Sequence, residues 1–553
     1  MAVSAELSAR VTAWIADDPD ESTAAAAQSL LNRADAGDIS AEQELAQCFG
    51  EFLQFGTAGL RGPLGPGPSC MNRAVVIRAA RGLVNYMLTQ GSSKIVVGYD
   101  ARHRSVDFAL DTVSIAAAAG LEAVLLPRAL PTPVLAYAVR ALGADAGVMV
   151  TASHNPAKDN GYKVYLGDGS QIIPPQDGEI AAEIALVTSA LDVPMSDEWV
   201  SADESLVDDY IASCVRVLAA DAPRNIRIAY TPLHGVGYET LAKVLESASM
   251  GQLDVVEAQA EPDPDFPTVA FPNPEEAGAT DLLLALAHDI DADIAIANDP
   301  DADRCAMAAK DHDGEWRLLR GDEVGALLGW WTISRSGEFG LPAPRGTLAA
   351  SIVSATLLEK MALRNGFKYQ STLTGFKWIA KIPDLTFGYE EALGYCVDAA
   401  SVRDKDGISA ALRLAELAAW LKSQNRTVAQ LLDDIAREYG LHVTDQLSVR
   451  MNNLADIPAA VNRLRSNPPS TLAGRDVTLA FDLKNGFNGL PPTDGYLLSF
   501  EGGRVIVRPS GTEPKLKCYL EVIVDNDDIA AARDIAAATV AQLKTEMKAV
   551  LGV

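Results

Sequence analysis

One pattern recurs three times along the chain: a short apolar run, a polar loop, and then a segment with apolar residues at helical spacing. In the first round, strand-like runs at 94–100, 123–126 and 146–150 alternate with helix-like segments at 107–119 and 133–142. The second round places strands at 226–230, 255–258 and 293–297, with helices reaching about residue 247 and covering 280–288. The third begins near Thr347, with strands at 348–353, 369–373 and 386–389 and helices at 356–365, from Phe376 onward, and at 408–421. Such alternation predicts parallel strands joined by crossover helices. After residue 441 the pattern changes to strands at 446–451, 477–483, 496–500, 504–508 and 515–524, closed by a helix at 529–547. The expected fold is therefore α/β: three similar mixed-sheet α/β domains followed by a smaller α+β domain. The boundaries expected are 1–218, 219–325, 326–440 and 441–553, with helices filling most of the stretch before Phe55.

Composition narrows the partners. The 553 residues carry a net charge of −28, which argues against nucleic acid or an anionic membrane as a partner. Six cysteines are scattered without a close pair in sequence, unlike a disulfide scaffold or zinc site. The first residues lack the basic and apolar regions of a signal peptide, and no apolar run reaches membrane-spanning length. A cytoplasmic protein is expected, a monomer or weak dimer with a small-molecule partner.

Four polar loops, one for each expected domain, and two further segments are the candidates for chemistry. Thr151-Ala-Ser-His-Asn-Pro156 follows the apolar run 146–150, so Ser153 sits at the C-terminal edge of a sheet, where open α/β folds bind ligands. Asn155-Pro156 and Asn160-Gly161 are turn dipeptides, and an ordinary turn is the plainer reading. Asn298-Asp-Pro-Asp-Ala-Asp-Arg304 sets Asp299, Asp301 and Asp303 at alternate positions, a costly arrangement without a cation. Oxygen-only ligands suit Mg²⁺, Mn²⁺ or Ca²⁺. An EF-hand fails, because Arg304 stands where its glycine belongs and Lys310 where its closing glutamate belongs. An acidic helix start is the competing reading. Phe387-Gly-Tyr-Glu-Glu-Ala392 pairs Glu390 and Glu391, either as a helix's acidic first turn or as acceptors for sugar hydroxyls. Arg403-Asp-Lys-Asp-Gly407 is either a solvated turn or a loop presenting Lys405 as a proton carrier. Arg508-Pro-Ser-Gly-Thr-Glu-Pro-Lys515 is a capping box or a phosphate nest built on Arg508 and Lys515. Arg61, in the glycine-rich 55–62 segment, is a further candidate phosphate ligand or part of a surface loop. One polar loop at the end of each successive domain describes a single phosphosugar site in a central cleft.

In that order these segments resemble the α-D-phosphohexomutases, which include phosphoglucomutases and phosphomannomutases, and most of all their phosphoglucomutase/phosphopentomutase branch. Thr231-Pro-Leu-His-Gly-Val-Gly237, Phe271-Pro-Asn-Pro-Glu-Glu276 and Thr374-Gly-Phe-Lys-Trp378 extend the likeness over nearly the whole chain. The resemblance implies that Ser153 is a phosphoserine and that Asp299, Asp301 and Asp303, with the Ser153 phosphate, hold one Mg²⁺. It implies that Glu390 and Glu391 bind sugar hydroxyls, that Thr374, Gly375 and Lys377 help the sugar bind in two orientations, and that Arg508, Ser510, Gly511 and Thr512 grip the distal phosphate. Lys163 and Lys405 match lysines given proton-transfer or phosphate-contacting roles. His154, Arg304, Arg403, Arg61 and Lys515 complete the expected site, with Arg304 offsetting charge and a lysine of lowered pKa exchanging the hydroxyl proton. The implied reaction interconverts hexose 1-phosphate and hexose 6-phosphate through a phosphoserine enzyme, with hexose 1,6-bisphosphate as intermediate and activator. Many relatives carry serine after the paired carboxylates where this chain has Ala392, which leaves the preferred sugar open among glucose, mannose and pentose phosphates.

Overall fold

The computed structural model describes residues 3–56, 59–343, 345–450, 456–509 and 515–552. They form two compact units, one of Met1–Ala308 with Tyr395–Ala419, the other of Ala309–Gly394 with Trp420–Val553.

Three helices, Ala5–Asp17, Glu21–Asp35 and Ile39–Cys48, open the first unit. Each begins at a side-chain cap, Ser4, Asp20 or Asp38, that accepts from a backbone N–H of the first turn. A cap of this kind stabilises by about 1 kcal/mol. The first sheet runs Leu60–Pro63, Asp159–Leu166, Ala146–Val150, Lys94–Tyr99, Glu122–Leu125, Val200–Ser201. Lys94–Tyr99 is parallel to both of its neighbours, as the alternation predicts. Asp159–Leu166 is antiparallel to Ala146–Val150, and Leu60–Pro63 is antiparallel to Asp159–Leu166. In the second sheet Ile294–Asn298 and Gln252–Val255 flank Arg227–Thr231 in parallel, while Cys305–Lys310 returns antiparallel beside Ile294–Asn298.

These antiparallel returns make both sheets mixed, as expected of the domains, and end the parallel run that the strand–helix alternation alone predicts. A parallel partner needs a crossover of about a dozen residues or more. The serine loop, 151–158, and the aspartate loop, 299–304, are too short for one, so each folds back beside the strand it left. The same return overrides the Asn160-Gly161 turn. Both residues lie within strand Asp159–Leu166, where Asn160 is buried and its side chain bonds Gly161 N, His103 O and Ser105 Oγ.

The second unit holds a parallel sheet of Lys368–Thr372, Thr347–Ser351 and Leu385–Glu390. A separate sheet runs Leu441–Arg450, Lys515–Val524, Gly503–Pro509, Tyr496–Phe500, Arg475–Asp482, Thr471–Leu472, with every neighbouring pair antiparallel. Helices Asp456–Ser466 and Ile529–Leu551 supply part of its core.

The strands that lead into chemistry are the most deeply covered. Every residue of Ala146–Val150, Ile294–Asn298 and Thr347–Ser351 is buried, as in strands packed on both faces. Each buried Val, Ile or Leu among them contributes about 1.5–3 kcal/mol, so the loops at their ends start from rigid positions. Among the described residues no helix is long and apolar enough to cross a membrane.

Candidate active site

The serine loop and the aspartate loop meet in the first unit. Ser153 is buried with φ 53°, a left-handed conformation that costs an L-residue about 1–2 kcal/mol. Its N–H is held by Thr151 Oγ1 at 2.9 Å. Its hydroxyl donates to Asp299 Oδ2 at 2.7 Å and lies 3.2 Å from His154 Nδ1. Arg102 fixes the loop from behind. Its buried guanidinium donates to the carbonyls of Ser153, Asn155, Pro156 and Asp159 and lies 3.4 Å from Asp100. Arg61 reaches the same loop, donating to Asn155 Oδ1 at 3.2 Å.

The three aspartates are buried, and one oxygen from each lies within 4.8 Å of the others. No helix starts there, which removes the acidic-helix reading: the loop joins two antiparallel strands. Cations and donors surround it. Lys163 Nζ lies 2.7 Å from Asp301 and 2.9 Å from Asp303, and Lys405 Nζ 3.1 Å from Asp303. Thr132, first residue of helix Thr132–Ala141, gives its hydroxyl to Asp301 Oδ2 at 2.6 Å and its N–H to Asp301 O at 2.9 Å. Arg304 N donates to Asp299 Oδ1 at 3.0 Å, and its guanidinium Nε lies 3.8 Å from Asp299 and 3.9 Å from Asp303.

Burial, with repulsion from Asp301 and Asp303, pushes the Asp299 carboxyl well above the usual range. Burial also acts to raise Asp303, but Lys163, Lys405 and Arg304 outweigh it and hold that carboxyl below the usual range. The two aspartates in turn overcome burial at Lys163 and raise its pKa, contrary to the expected lowered lysine. His154 goes the other way: burial, then Arg304 and Arg61, keep it well below the usual histidine value. Asp301 Oδ1 and Asp303 Oδ1 are buried without a hydrogen-bond partner among the described residues. Unsatisfied carboxylate oxygens facing a donor set of oxygens alone fit a hard divalent cation.

The 403–407 loop is not a solvated turn. Asp404 and Asp406 are buried, and Asp404 Oδ2 accepts from Tyr165 Oη at 2.8 Å and Gln171 Nε2 at 2.7 Å. A Cβ at Gly407 would lie 2.3 Å from Arg304 O, so only glycine lets this loop close on the aspartate loop. That contact brings Lys405 to Asp303, while Arg403 is half-buried beside it in the chain.

The second unit holds the remaining candidates. Glu390 ends strand Leu385–Glu390, with no helix following, so the acidic first-turn reading fails. Glu390 Oε1 accepts from Gly375 N at 2.6 Å, which joins the paired carboxylates to the segment of Thr374 and Gly375 and to helix Phe376–Ala380, which carries Lys377. Glu391 Oε2 accepts from the hydroxyls of Ser351 and Ser354 at 3.0 and 3.1 Å. Behind them, a Cβ on Gly321 would sit 1.8 Å from Glu391 O. Asp322, next in the chain, accepts from Ala355 N at 2.7 Å and Tyr389 Oη at 2.9 Å, and burial pushes its carboxyl up to about 6. Arg508 and Lys515 lie on neighbouring strands Gly503–Pro509 and Lys515–Val524. Ser510, Gly511 and Thr512 lie outside the described residues.

Arg102, Asp100, Thr132 and Asp404 are absent from the sequence reading. Asp100 and Arg102 had a usable cue, since they follow strand Lys94–Tyr99 as Ser153 follows Ala146–Val150. Thr132 and Asp404 have none, because only the fold brings them to their partners.

Residues 53–190, 207–314 and 320–439 match the families described as phosphoglucomutase/phosphomannomutase, alpha/beta/alpha domains I, II and III, and residues 447–542 match the C-terminal domain. A Haemophilus influenzae protein named "Probable phosphomannomutase" is 47% identical over 461 residues, covering 82% of this chain and 93% of its own length. The Mus musculus phosphopentomutase is 34% identical over 578 residues, with 94% and 91% covered. The Staphylococcus haemolyticus phosphoglucomutase is 34% identical over 509 residues, with 87% and 92% covered. In fold, the chain is similar to the open form of Paramecium pp63/parafusin, a phosphoglucomutase, with a TM-score of 0.70 at 17% identity, over 91% of this chain and 96% of that one.

Proposed function

Because this chain belongs to the phosphoglucomutase/phosphomannomutase family, we propose that Ser153 carries a phosphoryl group between the two ends of a sugar phosphate. The protein is a phosphosugar mutase, an isomerase. The observation that carries the finer reading is the 2.7 Å hydrogen bond from the Ser153 hydroxyl to Asp299, inside a buried three-aspartate cluster.

In the proposed cycle the bond from phosphorus to Ser153 Oγ breaks as a bond forms to a free sugar hydroxyl, whose proton passes to a nearby acceptor. The resulting hexose 1,6-bisphosphate turns end for end, and Ser153 takes back the other phosphoryl group. The same bisphosphate activates an unphosphorylated chain. Mg²⁺, one per chain, fits Asp299, Asp301 and Asp303 with an oxygen of Ser153, and would supply charge neutralisation at the transferred group. Arg304 adds fixed positive charge beside it. Of the proton carriers considered, His154 is kept neutral and its Nδ1 faces Ser153, so it can accept a proton. Lys163 is held as an ammonium ion by Asp301 and Asp303 and suits contact with phosphate instead. Lys405 shares Asp303 with it and remains the third candidate. Arg61 extends the positive charge along the serine loop.

Glu390 and Glu391, with Thr374, Gly375 and Lys377, would receive the sugar hydroxyls. Arg508, Ser510, Gly511, Thr512, Lys515 and Arg403 would bind the phosphate not being transferred. The division at 1–218, 219–325, 326–440 and 441–553 belongs to this reading, as do a cytoplasmic location and a monomer or weak dimer without nucleic-acid or membrane partners.

Hexose 1-phosphate and hexose 6-phosphate are the proposed substrates, with glucose as the sugar. A pentose 1-phosphate/5-phosphate reaction is the second reading, favoured by Ala392 and by likeness to the mouse phosphopentomutase across 94% of the chain. A mannose phosphate is the third, from the Haemophilus relative's name. Comparing kcat/KM for glucose, mannose and ribose 1-phosphates on one preparation decides among them. Ser153→Ala should lower mutase turnover by about 10⁴-fold or more while glucose 1-phosphate still binds. Near-normal turnover in that variant would sink the assignment of Ser153.

A further inference from the structure

Six cysteines are spread through the chain, and all are buried and reduced. Cys48 and Cys70 differ from the rest in facing each other. Their sulfurs are 3.8 Å apart, the Cys70 thiol donating to Cys48 across 22 residues of chain. Cys48 ends helix Ile39–Cys48, and Cys70 lies in the loop between strand Leu60–Pro63 and helix Arg73–Thr89.

The backbones on both sides are fixed. Ser69 N donates to Cys48 O at 3.1 Å, which joins helix end and loop independently of the sulfurs. Asn72 Nδ2 donates to Gly65 O at 2.9 Å and Gly67 O at 2.8 Å, clamping the loop that presents Cys70. Next to Cys48, Phe49 packs edge-on against Trp14 at 6.3 Å, anchoring the helix end in the N-terminal layer. A disulfide needs its sulfurs about 2.0 Å apart, less than 2 Å closer than the 3.8 Å of the reduced pair, on segments whose backbones are already bonded to each other.

We propose that Cys48 and Cys70 are a peroxide-sensitive dithiol that forms a reversible disulfide and tightens the loop that follows the strand bearing Arg61. The steps balance with hydrogen peroxide as oxidant. The Cys48 thiolate attacks one peroxide oxygen, the O–O bond breaks, hydroxide leaves, and the sulfur becomes a sulfenic acid. Cys70 then attacks that sulfur; the S–S bond forms, the S–O bond breaks, and the Cys70 proton leaves with the hydroxyl as water. Two electrons pass from the thiols to the peroxide.

The structure shows a path from the bond to the site. Met71 N, next to Cys70, donates to Pro63 O at 2.8 Å. Pro63 ends the strand that carries Arg61, and that strand pairs Leu60 with Tyr162 and Arg61 with Gly161, beside Lys163. A bond at Cys70 therefore restrains the strand that positions Arg61.

The test uses the full chain treated with hydrogen peroxide, quenched with N-ethylmaleimide under denaturing conditions and digested without reductant. A peptide joining Cys48 to Cys70 is expected, two hydrogens lighter than the reduced pair and separated by dithiothreitol. In Cys70→Ser, dimedone should trap a sulfenic acid at Cys48 with no cross-link. The oxidised wild type should show a KM for the sugar phosphate changed several-fold and restored by dithiothreitol. Separate alkylation of both thiols after peroxide, or cross-links chiefly to other cysteines, overturns the disulfide. An intact cross-link with unchanged KM overturns the link to the Arg61 strand. The mass readout does not depend on the mutase reading, so the two can fail separately.

Discussion

Asp299, Asp301 and Asp303 follow the buried strand Ile294–Asn298, and Glu390 and Glu391 lie at the end of strand Leu385–Glu390. In the first group Lys163, Lys405 and Arg304 hold Asp301 and Asp303 as carboxylates, and among the described residues Asp301 Oδ1 and Asp303 Oδ1 still lack a hydrogen-bond partner. The second group uses neutral donors: Gly375 N for Glu390, and Ser351 and Ser354 hydroxyls for Glu391. Carboxylates at strand ends thus sit in two kinds of surroundings. A buried cluster with unsatisfied oxygens calls for a metal cation, whereas hydroxyl-bonded carboxylates are suited to exchanging one hydroxyl for another.

The largest test of that contrast is removal of divalent ions. Chelation with EDTA should lower turnover by about 10³-fold or more, with recovery on adding Mg²⁺. The sugar binding proposed for Glu390 and Glu391 should change little, and equilibrium binding of glucose 1-phosphate with and without EDTA measures it. Turnover that survives chelation would erase the distinction between the two sites.

A smaller effect separates them by pH. The folded state raises Asp322 from 3.8 to about 6, so the protonated acid is the form the fold prefers. The stability Asp322 contributes is full below its unfolded pKa and is lost as pH rises through about 6, by about 3 kcal/mol. Glu521 is lowered from 4.5 to about 2: burial pushes it up, and Arg504 and His442 outweigh that. Its contribution is present above about 4.5 and is lost as pH falls toward 2. Asp322→Asn should remove the loss between about pH 4 and pH 6 and leave the acid-side loss intact, as urea denaturation across that range would show. An unchanged profile would place the titration elsewhere.

The smallest effect sharpens the hydroxyl-binding half. Glu391→Gln should raise KM for the sugar phosphate about tenfold, close to 1.4 kcal/mol, with metal affinity unchanged. Steady-state kinetics beside a Mg²⁺ titration checks both, and a weakened metal response would show that the two groups are not separable.

Sequence reading reached Ser153 and the three aspartates because each follows a fully buried strand, and a polar loop in that position is readable without the fold. It reached mixed sheets but not the place of the antiparallel returns, since the turn signal at Asn160-Gly161 is local while the pairing of 159–166 depends on loop length and on what Asn160 bonds. It took 403–407 for a possible solvated turn because burial of Asp404 depends on Tyr165 and Gln171, more than two hundred positions earlier. Gly321 looked like any glycine, and only the packed structure shows Glu391 O where its side chain would be. Cys48 and Cys70 are unpaired in sequence and adjacent only once the loop is folded.

The left-handed backbone at Ser153 has an evolutionary consequence. Glycine adopts that conformation without penalty, so Ser153→Gly should relieve about 1–2 kcal/mol of backbone strain while taking away the hydroxyl that donates to Asp299 and, on the proposed reading, carries the phosphoryl group. Backbone strain alone would let position 153 drift to glycine, and on the proposed reading the phosphoryl-carrying hydroxyl keeps serine there. A glycine at this position in a related chain would therefore mark a descendant released from catalysis, whose intact folding says nothing about whether it still turns over substrate.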